Sequence, residues 1–384
     1  MTSQTVVGKW LRPGPLEDIF DKVSTGQRIS REDGIRLMES SDLVTIGYLA
    51  NLVRERMHQD NVYFTSNTNL NQTDYCVLYN NCKFCAFAKK IGEGDGFILS
   101  MDDVAKKVEE GKQKGIREYH IVGGLHPDLK IEYFEDMFRT IKRVDPQATV
   151  KALTAVEIDY IAKLSRLTIK DVLLRLREAG LDFLPGGGAE IFAPHIRERI
   201  CPGKMTGERW LEIHRVAHEL NFKSNATLLY GHYESAADRI DHMLALRDLQ
   251  DQTGGFLAFV PLEFQPENTQ MQDAPQTTGL DDLKVYAVSR IVLDNFPHIK
   301  LLYRYVGWRL SEPALSFGVD DLGGTSFEEK VALAAGGKSS DTYTRDAFYE
   351  LIRGAGRIPV EVDSAYSPVG ETASVVPVAS PAKA

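Results

Sequence analysis

Three cysteines fall within ten residues, as Cys76-Val-Leu-Tyr-Asn-Asn-Cys82-Lys-Phe-Cys85, and the one other cysteine, Cys201, lies more than a hundred residues away. Thiolates are soft donors that suit iron–sulfur clusters. Three of them without a local fourth partner fit a [4Fe–4S] cluster held at three irons, with the fourth iron open to a small molecule. A structural zinc site is the competing chemistry, but it wants four closed ligands. This stretch supplies neither a fourth cysteine nor a cysteine–histidine pair. Cys76, Cys82 and Cys85 are therefore the metal-ligand candidates. Cys201, in Arg199-Ile-Cys-Pro-Gly203, reads as a buried thiol with no ligand role.

Other chemistry-bearing side chains stand in or after short β-rich runs. Asn225, Tyr230 and His232 lie on or just past one such run. Side chains alternate along a strand, so Asn225 and Tyr230 cannot both face one side unless the strand twists or ends between them. His232 with Glu157 is the one acid–base pair that can be drawn, against a purely structural role for a lone histidine. Arg304 needs an anionic partner if buried, which a substrate carboxylate or an internal salt bridge would supply. The remaining Asp and Glu read as solvated helix faces.

These groups need a scaffold that gathers them. Eight β-rich runs recur, at Val62–Thr65, Tyr119–Val122, Thr149–Thr154, Asp182–Leu184, Lys223–Leu229, Phe256–Pro261, Lys300–Tyr305 and Ala314–Val319. Amphipathic helical stretches with clear punctuation separate most of them. Ser100-Met-Asp-Asp103, Thr168-Ile-Lys-Asp171 and Ser235-Ala-Ala-Asp238 look like capping boxes, and Gly115, Gly180 and Gly254 stop the helices that follow. Eight strands with intervening helices predict an α/β chain folded as a (β/α)8 TIM-type barrel, with a doubly wound open sheet as the competitor. Residues 1–60 read as an N-terminal helical segment, with helices at Pro15–Val23 and Asp42–Met57. Residues 61–366 form the barrel with a C-terminal helix, and 367–384 a flexible tail too poor in pattern to order itself. In such a barrel reactive groups collect on loops leaving the strand C-termini, where the cysteine loop falls after strand one.

With 384 residues the chain is long enough for a sizeable core. A formal net charge of −9, without a basic stripe interleaved with aromatics, argues against nucleic-acid binding. No apolar run approaches the roughly 18–20 residues that span a bilayer, and Met1–Trp10 lacks a secretory pattern. Sparse, clustered cysteines argue against a disulfide framework and for a reducing cytoplasm.

The cysteine triplet, with an aromatic just before its last member, resembles the radical S-adenosylmethionine (SAM) enzymes; the first gap is five residues where three is usual. The stretches Asn67–Asp74, His120–Asp128, Lys151–Ile158, Leu184–Phe192, Ser224–His232 and Phe259–Asn268 are similar to the aminofutalosine synthases of the futalosine route to menaquinone, over roughly residues 15 to 365. The sister cyclic dehypoxanthinyl futalosine synthases carry a Ser-Pro-Pro-Glu type segment where this chain has Thr154-Ala-Val-Glu157, which favours the first family. The resemblance implies a [4Fe–4S] cluster on the three cysteines, SAM as a consumed substrate, and a one-electron reductant such as flavodoxin or ferredoxin. It implies that the 5′-deoxyadenosyl radical adds to the enol-ether double bond of 3-[(1-carboxyvinyl)oxy]benzoate, with rearrangement and carboxyl loss giving aminofutalosine.

Under this resemblance Gly123 and Gly124 approach the amino group of the SAM methionine, although a tight strand-to-helix turn needs glycine anyway. Glu190, beyond Gly186-Gly187-Gly188, bonds ribose hydroxyls unless it is a solvent-facing charge at a helix start. Phe84 shields the cluster and lies along adenine, with ordinary packing as its alternative. Asn225 joins the cofactor site, Arg304 and Tyr230 the substrate, and His232 and Glu157 the catalytic group. The alternatives are the sister cyclase and a non-catalytic metal-binding barrel.

Overall fold

The computed structural model describes residues 14–338 and 342–369. Its strands, in chain order, are β1 (Asn61–Thr65), β2 (Asn67–Asn69), β3 (Glu118–Ile121), β4 (Thr149–Ala152), β5 (Phe183–Leu184), β6 (Lys223–Tyr230), β7 (Phe256–Glu263), β8 (His298–Ile299), β9 (Asp321–Gly324) and β10 (Ile358–Glu361). Each from β2 to β8 pairs in parallel with the next. Only Ser66 separates β1 from β2, so the two act as one barrel strand. β9 pairs with β1 through Tyr63↔Asp321 and Thr65↔Gly324, and a Lys300↔Asp321 bridge joins it to the end of β8. The ring therefore closes, and the open doubly wound sheet is excluded. β10 occupies the flank of β1 that β3 leaves vacant.

The helices form where the punctuation predicts. Ser100 and Ser235 make complete capping boxes with Asp103 and Asp238, and Thr168 caps through the Asp171 amide. Gly180 and Gly254 end their helices in the left-handed conformation. At the N-terminus, helices Glu17–Ser24 and Leu43–His58 match the two expected, and Arg31–Glu39 is a third.

The last two strands differ from the sequence reading. Strand seven is only His298–Ile299, because Tyr303–Val306 turns helical, and Arg304 thus lies on that short helix rather than on a strand. The run Ala314–Val319 closes helix Trp308–Ala314 as tight turns, with Ser316 and Phe317 amides donating back to Pro313 and Ala314. The eighth strand is Asp321-Leu-Gly-Gly324, whose composition reads as a loop. It is a strand because Gly324 lies against β1, where a Cβ would meet Thr65 O at 2.3 Å.

Below the ring an ionic lock replaces apolar packing. Asp320, fully buried, takes a hydrogen bond from Arg290, one of 2.6 Å from His298 Nδ1 and one of 2.8 Å from the Ile299 amide; His58 Nε2 lies 3.4 Å away. Burial opposes its charge, yet His58, Arg290 and His298 together hold the carboxyl well below the usual range. With Arg290 on one carboxylate oxygen and the two imidazoles beside the other, the group forms an ionic latch. Ser367–Val369, the described start of the expected flexible tail, bonds back to Asp363 and Glu361; the rest of the tail, from residue 370, lies outside the described residues. No described helix is long and apolar enough to cross a membrane.

Candidate active site

The ring surrounds a cavity of about 300 Å³, to which Phe84, Cys85, Glu190, Asn225 and Arg304 all contribute. The cysteine loop leaves β2 and is pinned at its start, with the Cys76 amide donating to Lys89 O (3.0 Å) and the Gly124 amide to Thr73 O (2.9 Å). All four thiols are free. Burial pushes the Cys82 thiol up to about 12, and that of Cys85 upward. The loop thus folds its sulfurs into an environment that disfavours bare thiolates, one that a bound cationic metal group would relieve. Neighbouring thiols add to the effect, Cys85 and Cys201 on Cys82, and Cys76 on Cys85. Distance along the chain concealed Cys201, which the fold carries to the edge of the same loop.

Gly123 and Gly124 form the back of this loop. A Cβ on Gly124 would strike Tyr75 O at 2.0 Å and approach Cys76 Cβ at 3.1 Å, so only glycine fits. The Gly123 amide donates to Glu157 Oε1 (3.1 Å), which also accepts from Gln72 Nε2 (2.9 Å), while Glu157 Oε2 takes the Thr154 amide (2.7 Å). Glu157 is thus a buried brace behind the glycine turn and does not border the cavity.

His232 does not reach the cavity either. Its ring meets Leu229 O (3.1 Å), the Tyr233 amide (2.8 Å) and Glu234 (2.8 Å), all fully engaged in the loop after β6. The pairing of His232 with Glu157 is therefore corrected: the fold does not bring them together. Tyr230 also changes place. Strand alternation puts Asn225, Thr227 and Leu229 on the cavity side, and sends Tyr230 outward, where its hydroxyl donates to Asp282 on helix Gly279–Val292 (3.0 Å).

Glu190 does border the cavity. Gly186 passes so close to β6 that a Cβ would meet Asn225 O at 2.1 Å, and the turn ends with Glu190 itself at φ +48. That left-handed conformation is uncommon for a non-glycine residue. Its Oε1 holds the buried Lys204 Nζ at 2.6 Å, and the ammonium lies 5.2 Å from the Phe84 ring. Burial disfavours the Lys204 charge, but Glu190 and the Cys82 and Cys201 sulfurs raise its affinity for the proton well above normal. Lys204 was not among the sequence candidates, because only the fold brings Ile200–Lys204 against the cysteine loop, tied by the Lys83 amide to Ile200 O (2.9 Å). Arg304, past β8, donates to Ser326 O and Thr342 Oγ1, both at 3.0 Å.

The Radical SAM superfamily model matches residues 70–246, and the CofH/MqnC C-terminal region model matches residues 253–373. The aminodeoxyfutalosine synthase of Thermus thermophilus is 45% identical over 363 residues, covering 94% of this chain and 97% of that protein. The chain belongs to the aminodeoxyfutalosine synthase family of radical SAM enzymes. The cyclic dehypoxanthine futalosine synthase of Streptomyces coelicolor is also similar, at 36% identity over 91% of this chain and 88% of its own. Among solved structures, the [FeFe]-hydrogenase maturase HydG superposes with a TM-score of 0.74 at 18% identity, over 93% of this chain and 78% of HydG, which supports the barrel. Membership of the aminodeoxyfutalosine synthase family implies a [4Fe–4S] cluster and SAM. The three free thiols, the Cβ-excluding turn behind them and the adjoining buried cation fit that pair of cofactors.

Proposed function

We propose that this chain joins the 5′-deoxyadenosyl unit of SAM to the enol-ether carbon of 3-[(1-carboxyvinyl)oxy]benzoate, and that rearrangement with loss of the carboxyl unit yields aminofutalosine for menaquinone synthesis. The observation that carries the reading is one cavity bordered at once by the cysteine loop, Glu190 and Arg304, with Lys204 paired to Glu190. Cys76, Cys82 and Cys85 would hold the cluster, and a one-electron carrier such as flavodoxin or ferredoxin would reduce it. When bound, cluster and SAM supply methionine and the 5′-deoxyadenosyl radical.

The chain's own residues bind, orient and exclude water. The Gly123-Gly124 turn lets backbone approach the methionine end, and Lys204 offers its carboxylate a charge-assisted partner. Glu190 accepts from ribose hydroxyls, Asn225 borders the same face, and Phe84 packs along the base. Arg304 faces a substrate carboxylate. Radical addition requires no general base, in keeping with the enclosure of His232 and Glu157 outside the cavity. The apolar lining from Leu229, Val260 and Leu262 keeps a reactive carbon radical from solvent.

Similarity to the cyclic dehypoxanthine futalosine synthases supports a second reading, ring closure through hydrogen abstraction. One experiment separates the two. Anaerobic enzyme is incubated with reductant, SAM carrying labelled adenosyl carbon, and each candidate substrate. Label in the adduct establishes the synthase reaction; label only in free 5′-deoxyadenosine beside a cyclised product rejects it.

A further inference from the structure

The interior of the barrel carries a second polar group that the cofactors do not need. Register places Asn69, His120 and Lys151 side by side on β2, β3 and β4, and Lys300 enters from the end of β8. All four border the cavity. Of their counter-charges, Glu118 borders the same cavity and Asp321 does not. Lys151 Nζ bonds Glu118 Oε2 (2.5 Å), which Ser364 Oγ also bonds (2.5 Å). Lys300 Nζ lies 3.1 Å from Asp321 Oδ2, which takes the Tyr366 hydroxyl (2.5 Å). The segment after β10 thus fixes both carboxylates through Ser364 and Tyr366.

Each ammonium has three N–H groups and gives one to its carboxylate. The His120 ring and the Asn69 amide donate to no protein group among the described residues. Burial, with Lys151 and Lys300 nearby, lowers His120 to about 4, so the ring is neutral and keeps one N–H. Glu118 and Asp321 are already engaged by other partners. Free donors outnumber the free acceptors, which are the Asn69 carbonyl and the second His120 nitrogen, and an anionic oxygen ligand would complete them.

We propose that Asn69, His120, Lys151 and Lys300 form a carboxylate subsite that takes the ring carboxylate of an aryl substrate, leaving Arg304 for the enol-pyruvyl carboxylate. This rests on the proposed reaction only for the identity of the substrate. The subsite makes the barrel a measure of substrate length, with one carboxylate at the interior floor and the other near the short helix that bears Arg304. A monocarboxylate aryl ether lacks the first contact and binds weakly.

The test is equilibrium binding to the reconstituted enzyme without reductant. The probes are 3-[(1-carboxyvinyl)oxy]benzoate and 2-phenoxyacrylate, which lacks the ring carboxylate. The wild type is expected to prefer the dicarboxylate about 10- to 100-fold, as charge-assisted bonds allow. His120→Phe, and the charge-balanced Glu118→Gln/Lys151→Met pair, should reduce that preference to within about threefold while 2-phenoxyacrylate binds as before. Equal affinity for both probes in the wild type overturns the proposal. So does a full preference kept in both variants, or equal weakening of both probes, which would mean general damage to the cavity. If the preference behaves as expected but labelled adenosyl carbon never enters an adduct, the reaction falls and the subsite stands.

Discussion

Lys204 Nζ stands 2.6 Å from Glu190 Oε1, and the two residues flank helix Pro194–Ile200 from opposite ends. That helix therefore acts as a spacer, delivering a cation to the cysteine loop and an anion to the cavity wall. Both side chains are about nine-tenths buried. Removing one partner of such a pair leaves an uncompensated charge, which is more damaging than removing both.

A first prediction follows for SAM. Lys204→Met/Glu190→Gln keeps the site neutral and should fold with its cluster intact. It should weaken SAM binding at least about tenfold, since it removes both the Lys204 contact to the methionine carboxylate and the Glu190 contact to the ribose. Titration of SAM into the reconstituted protein, followed by the cluster's EPR spectrum, reads the effect; an unchanged dissociation constant would remove both Lys204 and Glu190 from the site.

Cysteine substitution distinguishes ligands from bystanders. Cys82→Ala should abolish cluster absorbance and reductive SAM cleavage. Cys201→Ala should leave both near wild type, even though the fold sets Cys201 beside Cys82. Iron and sulfide assays on anaerobic protein decide this, and loss of the cluster in the Cys201 variant would falsify the three-cysteine assignment.

The latch below the barrel governs stability rather than chemistry. Asp320→Asn removes the charge that Arg290 and His298 share, and breaking a buried pair of this kind costs about 3–5 kcal/mol. Urea unfolding should register that loss, with cluster content per folded chain unchanged. A loss below about 1 kcal/mol would mean the network is incidental.

The sequence carries the barrel where local rules act alone. Capping residues and terminal glycines mark helices directly, and apolar runs such as Phe256–Pro261 mark strands with two buried faces. It fails at Asp321–Gly324, because glycines and an acid look like a loop until β1 and β8 enclose them. The site divides in the same way. Three cysteines within ten residues declare themselves, whereas Lys204 and the Asn69–His120–Lys151 row exist only through register and helix placement. His232 misled because a histidine at a strand end looks exposed to substrate, while Glu234, two residues on, accepts its amide and draws it into the loop.

The buried His242 gives a pH signature. Its Nε2–H donates to Thr227 O (2.9 Å) and its Nδ1 accepts the Phe192 amide (3.2 Å), so the fold has use only for the neutral ring. Burial lowers it to about 3. The unfolded chain binds this proton below its ordinary value near 6.5, and the folded chain does not. The stability is therefore complete above pH 6.5 and falls as pH drops toward 3, by about 2 kcal/mol between pH 7 and pH 5. His242→Gln offers a similar donor and acceptor but no titration, so its denaturant midpoint should fall less across that interval than the wild type's. Parallel profiles for the two proteins would show that His242 becomes charged within the folded chain.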